Sequence, residues 1–172
     1  SPGPNTNKPL HLVHLRNMFL GSSLYSVLQF FGHRVKIVDI VNDRGIHISK
    51  SMLAYQLFGN NERPTIKSDH FVGKYYVLYA QKETPELEKK AQDLLVLWER
   101  GDKETLRLWK LMNGWALKGF KETYDLLDFH VDKTYYESEH YQEGKKIVFE
   151  WLKKGVFKRN EKGEWVFKEE PC

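Results

Sequence analysis

Two histidines, His11 and His14, stand three residues apart where the sequence turns helical. Residues at that spacing share one face of a helix, and the first turn of a helix carries unpaired N–H groups and a partial positive charge that bind phosphate. Lys8 lies just upstream, and Asn5 and Asn7 supply amide donors. Together these groups could hold a phosphate whose charge grows in a transition state, by positioning and electrostatics and without a covalent nucleophile. In the competing structural interpretation, one histidine caps the helix and the other packs.

The elements around this segment follow the order helix, strand, turn, helix, which is typical of a doubly wound α/β sheet. Residues 34–41 form a nearly continuous run of β-branched side chains. Such a run predicts a buried parallel strand. A second helix is predicted over 46–58 with Gly59 closing it, and the first helix is predicted to end at Gly32 in a left-handed conformation. The apolar residues of the first helix recur at helical spacing and predict one buried stripe: Leu20, Leu24, Val27, Leu28 and Phe31.

The second half of the sequence is predicted to be mostly helical. Thr84 and Pro85 have the types preferred at an N-cap and at the first helical position, so a helix is predicted to begin there. Gly101 and Asp102 separate it from a longer helix, and a boundary is predicted near residues 60–68. The remaining predicted elements are a short strand over 129–135, a helix over 140–154 and a C-terminal β-hairpin. The predicted fold class is α/β, a partial doubly wound, Rossmann-like parallel sheet with a mostly helical insertion and a small β element.

Composition narrows the classes of protein that fit. The 172 residues carry a formal net charge of +4 and a pI of about 9.0, which is compatible with a polyanionic partner without demonstrating one. The single cysteine, Cys172, excludes an internal disulfide and a cysteine-based zinc site, so a cytoplasmic location is expected. No apolar run approaches the roughly 20 residues that span a bilayer, and no histidine pair has zinc spacing. We therefore expect no membrane partner and no protein-bound structural metal.

Several stretches of the sequence resemble the N-terminal half of the catalytic domain of class I arginyl-tRNA synthetases, and they follow the family's order along the whole chain. The first is P-N-T-N-K-P-L-H-L-V-H-L-R-N (4–17), which is similar to the family's P-N-x-N-K-P-L-H-x-G-H-x-R-N element. The others are D-I-V-N-D-R-G-I-H-I-S-K-S (39–51), D-H-F-V-G-K-Y-Y-V-L-Y (69–79), L-W-K-L-M-N-G-W (108–115), D-K-T-Y-Y-E-S-E (132–139) and G-K-K-I-V (144–148).

The resemblance implies a nucleotide-binding catalytic domain, with residues 1–60 as its N-terminal part and residues 61–172 as a mostly helical insertion that returns to it. It also implies a reaction. ATP, with Mg²⁺ as the counter-ion of the nucleotide, activates arginine to arginyl-adenylate, and the arginyl group then passes to an arginine-specific tRNA.

The same resemblance implies roles for residues near the N-terminus. His11, His14 and Lys8 are the expected catalytic residues. His11, Val13 and His14 lie where the family binds ATP, and the two histidines would hold its phosphates. Asn5 is expected to help place the amino acid.

Glu137 completes the expected site, and Asp43 is a second acidic candidate. Glu137, in Y-Y-E-S, matches a carboxylate that in this family pairs with the guanidinium of the substrate. A carboxylate is the best partner of a planar five-donor cation, which agrees with that role. Without the resemblance, Glu137 would be interpreted as a surface glutamate that follows a strand. Asp43, in N-D-R-G, has both a functional and a turn-forming interpretation.

Val13 departs from the family's pattern, which has glycine at this position. A residue without Cβ lets adenine lie close against the backbone, and valine would crowd it by about 1–3 kcal/mol, or roughly 5- to 150-fold in ATP affinity. If the turn shifts slightly, binding survives. The sequence also lacks a Lys-Met-Ser-Lys-Ser-like loop and the strand expected before Pro4. We therefore expect an excised piece of a longer enzyme, weakly active or inactive alone.

Two hypotheses of different classes follow. In the first, the chain is a catalytic-domain piece of an arginine–tRNA ligase. In the second, it is a non-catalytic relative that binds tRNA or a synthetase partner, which Val13 favours and the other matched residues do not. In either case a truncated sheet leaves a strand edge unpaired, so copies of the chain are expected to self-associate.

Overall fold

The computed structural model describes residues 1–159 and 165–167, and it describes the last two short strands by their backbone only. The helices are α1 (Leu12–Phe30), α2 (Ile46–Phe58), α3 (Ser68–Lys82), α4 (Pro85–Glu99), α5 (Lys103–Leu126) and α6 (Glu137–Lys153). The strands are β1 (Val38–Val41), β2 (Lys133–Tyr136), β3 (Phe157–Arg159) and β4 (Trp165–Phe167).

The chain divides into two compact units, Ser1–Glu137 and Ser138–Cys172. The first contains α1 to α5 with β1 and β2. The second contains almost all of α6 together with β3 and β4. These two units are defined by contacts and do not test the predicted functional division into residues 1–60 and 61–172. That division stays a prediction.

The first unit contains a small parallel sheet. β1 pairs with β2 in parallel, with Val41 opposite Tyr136. The N-terminal segment runs beside β1 as well, because Asn5 and Asn42 form an isolated parallel bridge. The parallel pairing confirms the predicted type of strand. The strand expected before Pro4 is predicted to be missing, and the N-terminal segment contributes this single bridge.

The strand predicted over 34–41 is shorter in the structure and is buried on one face only. β1 begins at Val38, its Asp39 and Val41 side chains are buried, and Val38 and Ile40 point to the exposed face. The prediction of a strand buried throughout is therefore wrong. The described residues cover only the face that α5 packs against, and a strand with one covered face alternates between buried and exposed side chains.

The C-terminus of α1 is closed by glycine, as predicted. Gly32 has a φ of 81°, in the left-handed region where a Cβ is unfavourable. Its N–H donates to the Gln29 carbonyl at 2.8 Å, and the His33 N–H donates to the Leu28 carbonyl at 3.0 Å. This pair of hydrogen bonds satisfies carbonyls that the helix leaves unpaired.

The apolar stripe predicted to be buried on α1 is exposed instead, so that prediction is wrong. Only His14 and Met18 of α1 are buried. Leu20, Leu24, Val27 and Phe31 all lie largely in solvent. Helical spacing places residues on one face, but it does not say whether another element covers that face.

The hydrophobic core of the first unit lies among α2, α3, α4 and α5. Tyr55 of α2 packs edge-on against Phe71 and Tyr75 of α3. Two glycines allow α3 to approach its neighbours closely. A Cβ on Gly73 would lie 2.7 Å from Pro9 Cδ, and a Cβ on Gly119 of α5 would lie 2.6 Å from Asp69 Cγ. The Gly73 contact joins the helical layer to the segment that precedes α1, and the Gly119 contact joins α5 to α3.

The helix ends in this layer follow the sequence signals. α2 spans the predicted 46–58, and the Gly59 N–H donates to the Tyr55 carbonyl at 2.8 Å. Thr84 Oγ1 caps α4 by accepting from the Leu87 N–H at 3.2 Å. Asp102 Oδ2 caps α5 by accepting from the Thr105 N–H at 2.9 Å. The predictions at Gly59 and Thr84 are confirmed, and Asp102, predicted only to separate two helices, is the cap of α5. Such hydrogen bonds are local and need no tertiary partner.

The second unit contains α6 and a two-stranded hairpin. α6 begins three residues before the predicted 140–154 helix and is followed by Gly155, with a φ of 73°. β3 and β4 pair antiparallel, with Lys158 opposite Val166, which confirms the predicted hairpin for the backbone. Its turn and Cys172 lie outside the described residues.

Candidate functional site

The carboxyl ends of three parallel segments meet at one edge of the sheet. Asn5 ends the N-terminal segment and bridges to Asn42, which follows β1. Glu137 follows Tyr136, the last residue of β2, and Tyr136 pairs with Val41. Asn42 and Glu137 therefore leave the sheet side by side. Ligands of doubly wound sheets bind at this edge, and the chain brings Asn5 and Glu137 to it from opposite ends of the first unit.

Hydrogen bonds to the end of β1 fix the segment before α1. Asn42 Nδ2 donates to Asn5 Oδ1 at 2.8 Å, and the Thr6 N–H donates to the Asn42 carbonyl at 3.1 Å. The Asn5 amide NH₂ stays available as a donor. Thr6 and Asn7 are buried, and their side-chain oxygens have no hydrogen-bond partner among the described residues. Buried polar atoms without a hydrogen-bond partner lower the stability of the fold unless a further group forms a hydrogen bond with them.

His11 and His14 lie against each other at the start of α1. His11 is the N-cap, and its backbone N–H donates to His14 Nδ1 at 3.0 Å. The two ring centroids are 3.9 Å apart, with the planes tilted by 46°. His14 is only 6% exposed, whereas His11 faces solvent. The i, i+3 spacing thus brings the rings together, and the same hydrogen bond shows that His14 helps to close the helix end.

His14 is neutral at neutral pH. The pKa of His14 is lowered to about 4, chiefly by burial and then by the nearby His11 and Lys8, while Asp39 opposes them. In the neutral ring only one nitrogen carries a proton. Because Nδ1 accepts from the His11 N–H, the proton is on Nε2, and His14 can donate one hydrogen bond from that atom.

The N-terminus of α1 is electropositive. No acidic residue lies in its first turn, and the Lys8 N–H donates to the Asn5 carbonyl at 3.3 Å, in a turn that keeps Lys8 next to the helix. Such a terminus favours anions. Val13, the second residue of α1, is 56% exposed and contributes nothing to the buried core.

Glu137 already faces a guanidinium. Arg44 Nη1 lies 3.6 Å from Glu137 Oε1, and Arg44 Nη2 lies 2.5 Å from Glu99 Oε1. The Arg44 guanidinium also lies over the Trp98 ring, 5.1 Å from its centroid. Part of the Glu137 carboxylate is exposed, so it can accept further hydrogen bonds.

Two residues missed as site residues hold the turn after β1. Trp109 Nε1 and Asn113 Nδ2, both on α5, donate to the Asp43 carbonyl at 2.6 and 3.0 Å. The signal that could have found them is Asn113 itself, because a buried amide on an apolar helix face needs a partner. Asp43 is buried, and its backbone is fixed by α5.

The described part of the chain offers no metal centre and no membrane segment. It brings together no group of three or more His, Cys, Asp or Glu side chains that could hold a metal ion. None of its helices is both long and apolar enough to cross a bilayer.

Comparison with known proteins identifies the family. The model of the family described as "tRNA synthetases class I (R), catalytic domain" matches residues 2–170. The chain belongs to this family. Its relatives include an arginine–tRNA ligase of Treponema denticola, 50% identical over 171 residues, and one of Borreliella burgdorferi, 47% identical over 165 residues.

The chain spans less than a third of these relatives. The matches cover 95% of this chain and 29% of the Treponema protein, and 93% of this chain and 28% of the Borreliella protein.

Solved synthetases share the fold. The Thermus thermophilus arginyl-tRNA synthetase superposes with a TM-score of 0.71 over 96% of this chain and 29% of that chain, at 26% identity. The Plasmodium falciparum enzyme gives a TM-score of 0.74 over 99% of this chain and 29% of that one, at 16% identity. The predicted fold class is confirmed as the mostly helical α/β architecture of the class I synthetase catalytic domain, with a small parallel sheet.

Proposed function

We propose that this chain contributes part of the ATP and arginine site of an arginine–tRNA ligase. The observation that carries the proposal is the pairing of His11 with a neutral His14 at an electropositive helix N-terminus. Family membership supplies the reaction, in which ATP activates arginine for transfer to tRNA. The roles given below to single residues, and the equivalence of this segment to the family's His-x-Gly-His element, are part of the proposal.

The histidine pair and Lys8 are proposed to hold the phosphates of ATP. His14 would donate from Nε2, and because it is neutral it adds a hydrogen bond without adding charge. Lys8 and the end of the α1 dipole would supply the positive charge. These groups act by positioning and electrostatics as charge builds on the α-phosphate.

Mg²⁺ fits this proposal as a companion of the nucleotide. The side chains around the start of α1 are cationic or neutral, so they suit phosphate oxygens and not a divalent cation. Mg²⁺ is usually held by the phosphates of its nucleotide and by water. When bound there, it would neutralise phosphate charge, and the chain's own residues would orient the phosphates.

The arginine substrate is proposed to lie between Asn5 and Glu137. Both belong to the carboxyl edge of the sheet, and Glu137 already faces the guanidinium of Arg44 at 3.6 Å. A second guanidinium on the exposed part of the same carboxylate would gain a charge-assisted hydrogen bond. The free amide NH₂ of Asn5 is suited to an acceptor on the amino acid.

Val13 supports a second candidate function, a non-catalytic module that binds tRNA or a synthetase partner. Its exposed side chain stands at the helix end that the nucleotide would approach. We propose a cytoplasmic location for either function, as the lone cysteine suggests. We also propose self-association, because the outer edge of β2 has no strand partner among the described residues.

ATP titration by calorimetry, with Mg²⁺ present, tests the catalytic proposal. We compare this chain with a Val13→Gly variant. Relief of about 1–3 kcal/mol of crowding should tighten ATP binding by roughly 5- to 150-fold. Val27→Gly is the matched control, since it makes the same change at another exposed position of α1, and it should leave ATP affinity unchanged.

The outcomes separate the two functions. Tight ATP binding only in the Val13→Gly variant means that valine has disabled a nucleotide site, which favours the non-catalytic module. Equal binding by both forms means that the helix end accommodates valine. No ATP binding by any variant counts against a nucleotide site within these residues.

Arginine binding is tested separately. Glu137→Gln should weaken arginine binding at least tenfold, because a charge-assisted contact to guanidinium is lost. Glu139→Gln, two residues further along and exposed, should not change it. Equal effects of the two variants would remove Glu137 from the proposed arginine site.

A further inference from the structure

α5 carries a stripe of positive charge along the face opposite the core. Its members, all exposed, are Lys103, Arg107, Lys110, Lys118 and Lys121. At 3.6 residues per turn they fall within an arc of about 80°, while the buried residues Met112, Ala116 and Phe120 lie on the other side of the helix. Gly114 lies within the same arc and is also exposed. We call these positions the α5 stripe.

Most cations of the α5 stripe have no acidic partner among the residues that the structure describes. Lys121 pairs with Asp125 at 2.7 Å. The other four cations form no salt bridge with any described residue. Unpaired cations along one helix face repel each other, so a polyanion that lies along them reduces this repulsion.

A polar groove adjoins the N-terminal half of the α5 stripe. Its volume is about 650 Å³, and its lining includes Gln56, Asn60, Asn61, Arg63 and Arg107. Arg107 therefore belongs to both the groove and the α5 stripe. Glu104 also lines the groove. Three amides and two guanidinium groups beside one carboxylate are a donor and acceptor set suited to the edges of nucleobases, and the guanidinium groups suit phosphate.

We infer that the α5 stripe and this groove together bind a strand of RNA. The inference rests on the proposed function, since tRNA is the RNA that an arginine–tRNA ligase meets. From Lys103 to Lys118 the helix rises about 22 Å. The cations are one helical turn apart from Lys103 to Lys110, and two turns separate Lys110 from Lys118. Phosphates of one strand lie along the cations, and a base next to Arg107 enters the groove, where the amides contact its edge.

The inference is tested by fluorescence anisotropy with a labelled transcript of an arginine-accepting tRNA. Binding is measured between about 50 and about 200 mM KCl, where phosphate contacts give a linear dependence of log affinity on log salt. The stripe variant is K103Q/R107Q/K110Q/K118Q. The matched control is R34Q/K36Q/K89Q/K90Q, which removes three lysines and one arginine from exposed sites elsewhere in the first unit.

The stripe variant should lower the magnitude of the salt slope by about 3, because each phosphate contact contributes about 0.7–0.9. The control should keep the wild-type slope, although its net charge changes equally. Equal losses in the two variants would overturn the inference, since only total charge would then matter. So would an unchanged slope in the stripe variant, or wild-type protein that binds anionic phospholipid vesicles but not the tRNA.

Gly114, Asn60 and Asn61 are exposed. Substitutions at these positions therefore test the inference without disturbing the core. A Cβ on Gly114 meets nothing within 4 Å. Gly114→Lys should therefore increase the salt slope by about 0.7–0.9 relative to Gly114→Gln. Equal slopes would contradict the inference.

Asn60 and Asn61 have φ values of 45° and 59°, which glycine adopts without strain. Asn60→Gly with Asn61→Gly removes both amides and should weaken binding with the slope unchanged, because base contacts release no counterions. Full affinity in this variant would remove the groove from the inference.

Separate experiments test the RNA inference and the proposed function. ATP and arginine titrations address the sheet edge, and the tRNA measurement addresses α5. ATP binding without tRNA binding overturns the RNA inference alone. Binding of tRNA without ATP leaves the RNA inference standing and counts against the nucleotide site.

Discussion

α1 and α5 are both long helices of the first unit, and they are held in place in different ways. α5 has 24 residues and buries six of them: Thr105, Met112, Asn113, Ala116, Gly119 and Phe120. α1 has 19 residues and buries only His14 and Met18. Large apolar side chains of α1 stay in solvent, with Phe30 86% exposed.

The difference shows that the proposed nucleotide site lies on the helix with the weaker tertiary support. Isolated helices of this length are marginal in water, and most helices in proteins are stabilised by packing of one face. α1 depends strongly on its ends, which are the His11–His14 contact and the hydrogen bonds around Gly32. α5 depends on its buried face and positions the turn at Asp43 through Trp109 and Asn113.

The largest expected effect comes from removing one phenylalanine from each helix. Phe120→Ala in α5 should lower the free energy of unfolding by about 3–5 kcal/mol, because it removes a buried ring and leaves a cavity. Phe19→Ala in α1 should change it by less than about 0.5 kcal/mol, since Phe19 is 55% exposed. Urea unfolding followed by circular dichroism measures both.

The two phenylalanine variants also test whether α1 is less supported by packing than α5. If Phe19→Ala costs as much as Phe120→Ala, the exposed face of α1 is covered in solution, and self-association is the first explanation to examine. Size-exclusion chromatography of the two variants and the wild type then decides, because a covered face requires a species larger than the monomer.

A pH titration gives the next largest effect and concerns the start of α1. The unfolded His14 takes up a proton below about pH 6.5, whereas the folded pKa is about 4. Between these values the unfolded state binds more protons, so stability falls as the pH falls. Lowering the pH from 7 to 4 should cost about 1–3 kcal/mol through this group.

His14→Asn should remove that part of the pH dependence. Its Oδ1 can replace Nδ1 as acceptor for the His11 N–H, and it does not titrate. His33→Asn, at an exposed histidine near the other end of α1, should leave the pH dependence of the wild type. A wild-type slope in the His14→Asn variant would show that His14 is not buried in its neutral form.

The same contrast explains what the sequence could predict. The ends of α2, α4 and α5 followed from Gly59, Thr84 and Asp102, because a cap is made by residues next to each other in the chain. The parallel sheet followed from the order of the elements. The spacing of His11 and His14 also placed their rings together, since i, i+3 neighbours meet on any helix.

Burial on α1 and β1 could not be predicted in the same way. Apolar periodicity shows which side chains share a face, and the nearly continuous β-branched residues of 34–41 led to the prediction that both faces are covered. Which face is covered depends on elements far away in the sequence. The pairing of Asn5 with Asn42 and the close approach of Gly119 to Asp69 are likewise contacts between distant segments, with no local signal.

The smallest expected effect compares two helix-interior glycines that face open space. A Cβ on Gly114 of α5 or on Gly21 of α1 meets nothing within 4 Å. Gly→Ala in a helix interior should stabilise by about 0.5–1 kcal/mol, provided that the helix is formed in the folded state and lost on unfolding. Gly114→Ala should give this gain in full. Gly21→Ala should give less, because α1 frays locally when its face is uncovered. Equal gains in thermal unfolding would show that α1 folds as one cooperative unit with the core, and that its ends alone suffice to hold the proposed nucleotide site in place.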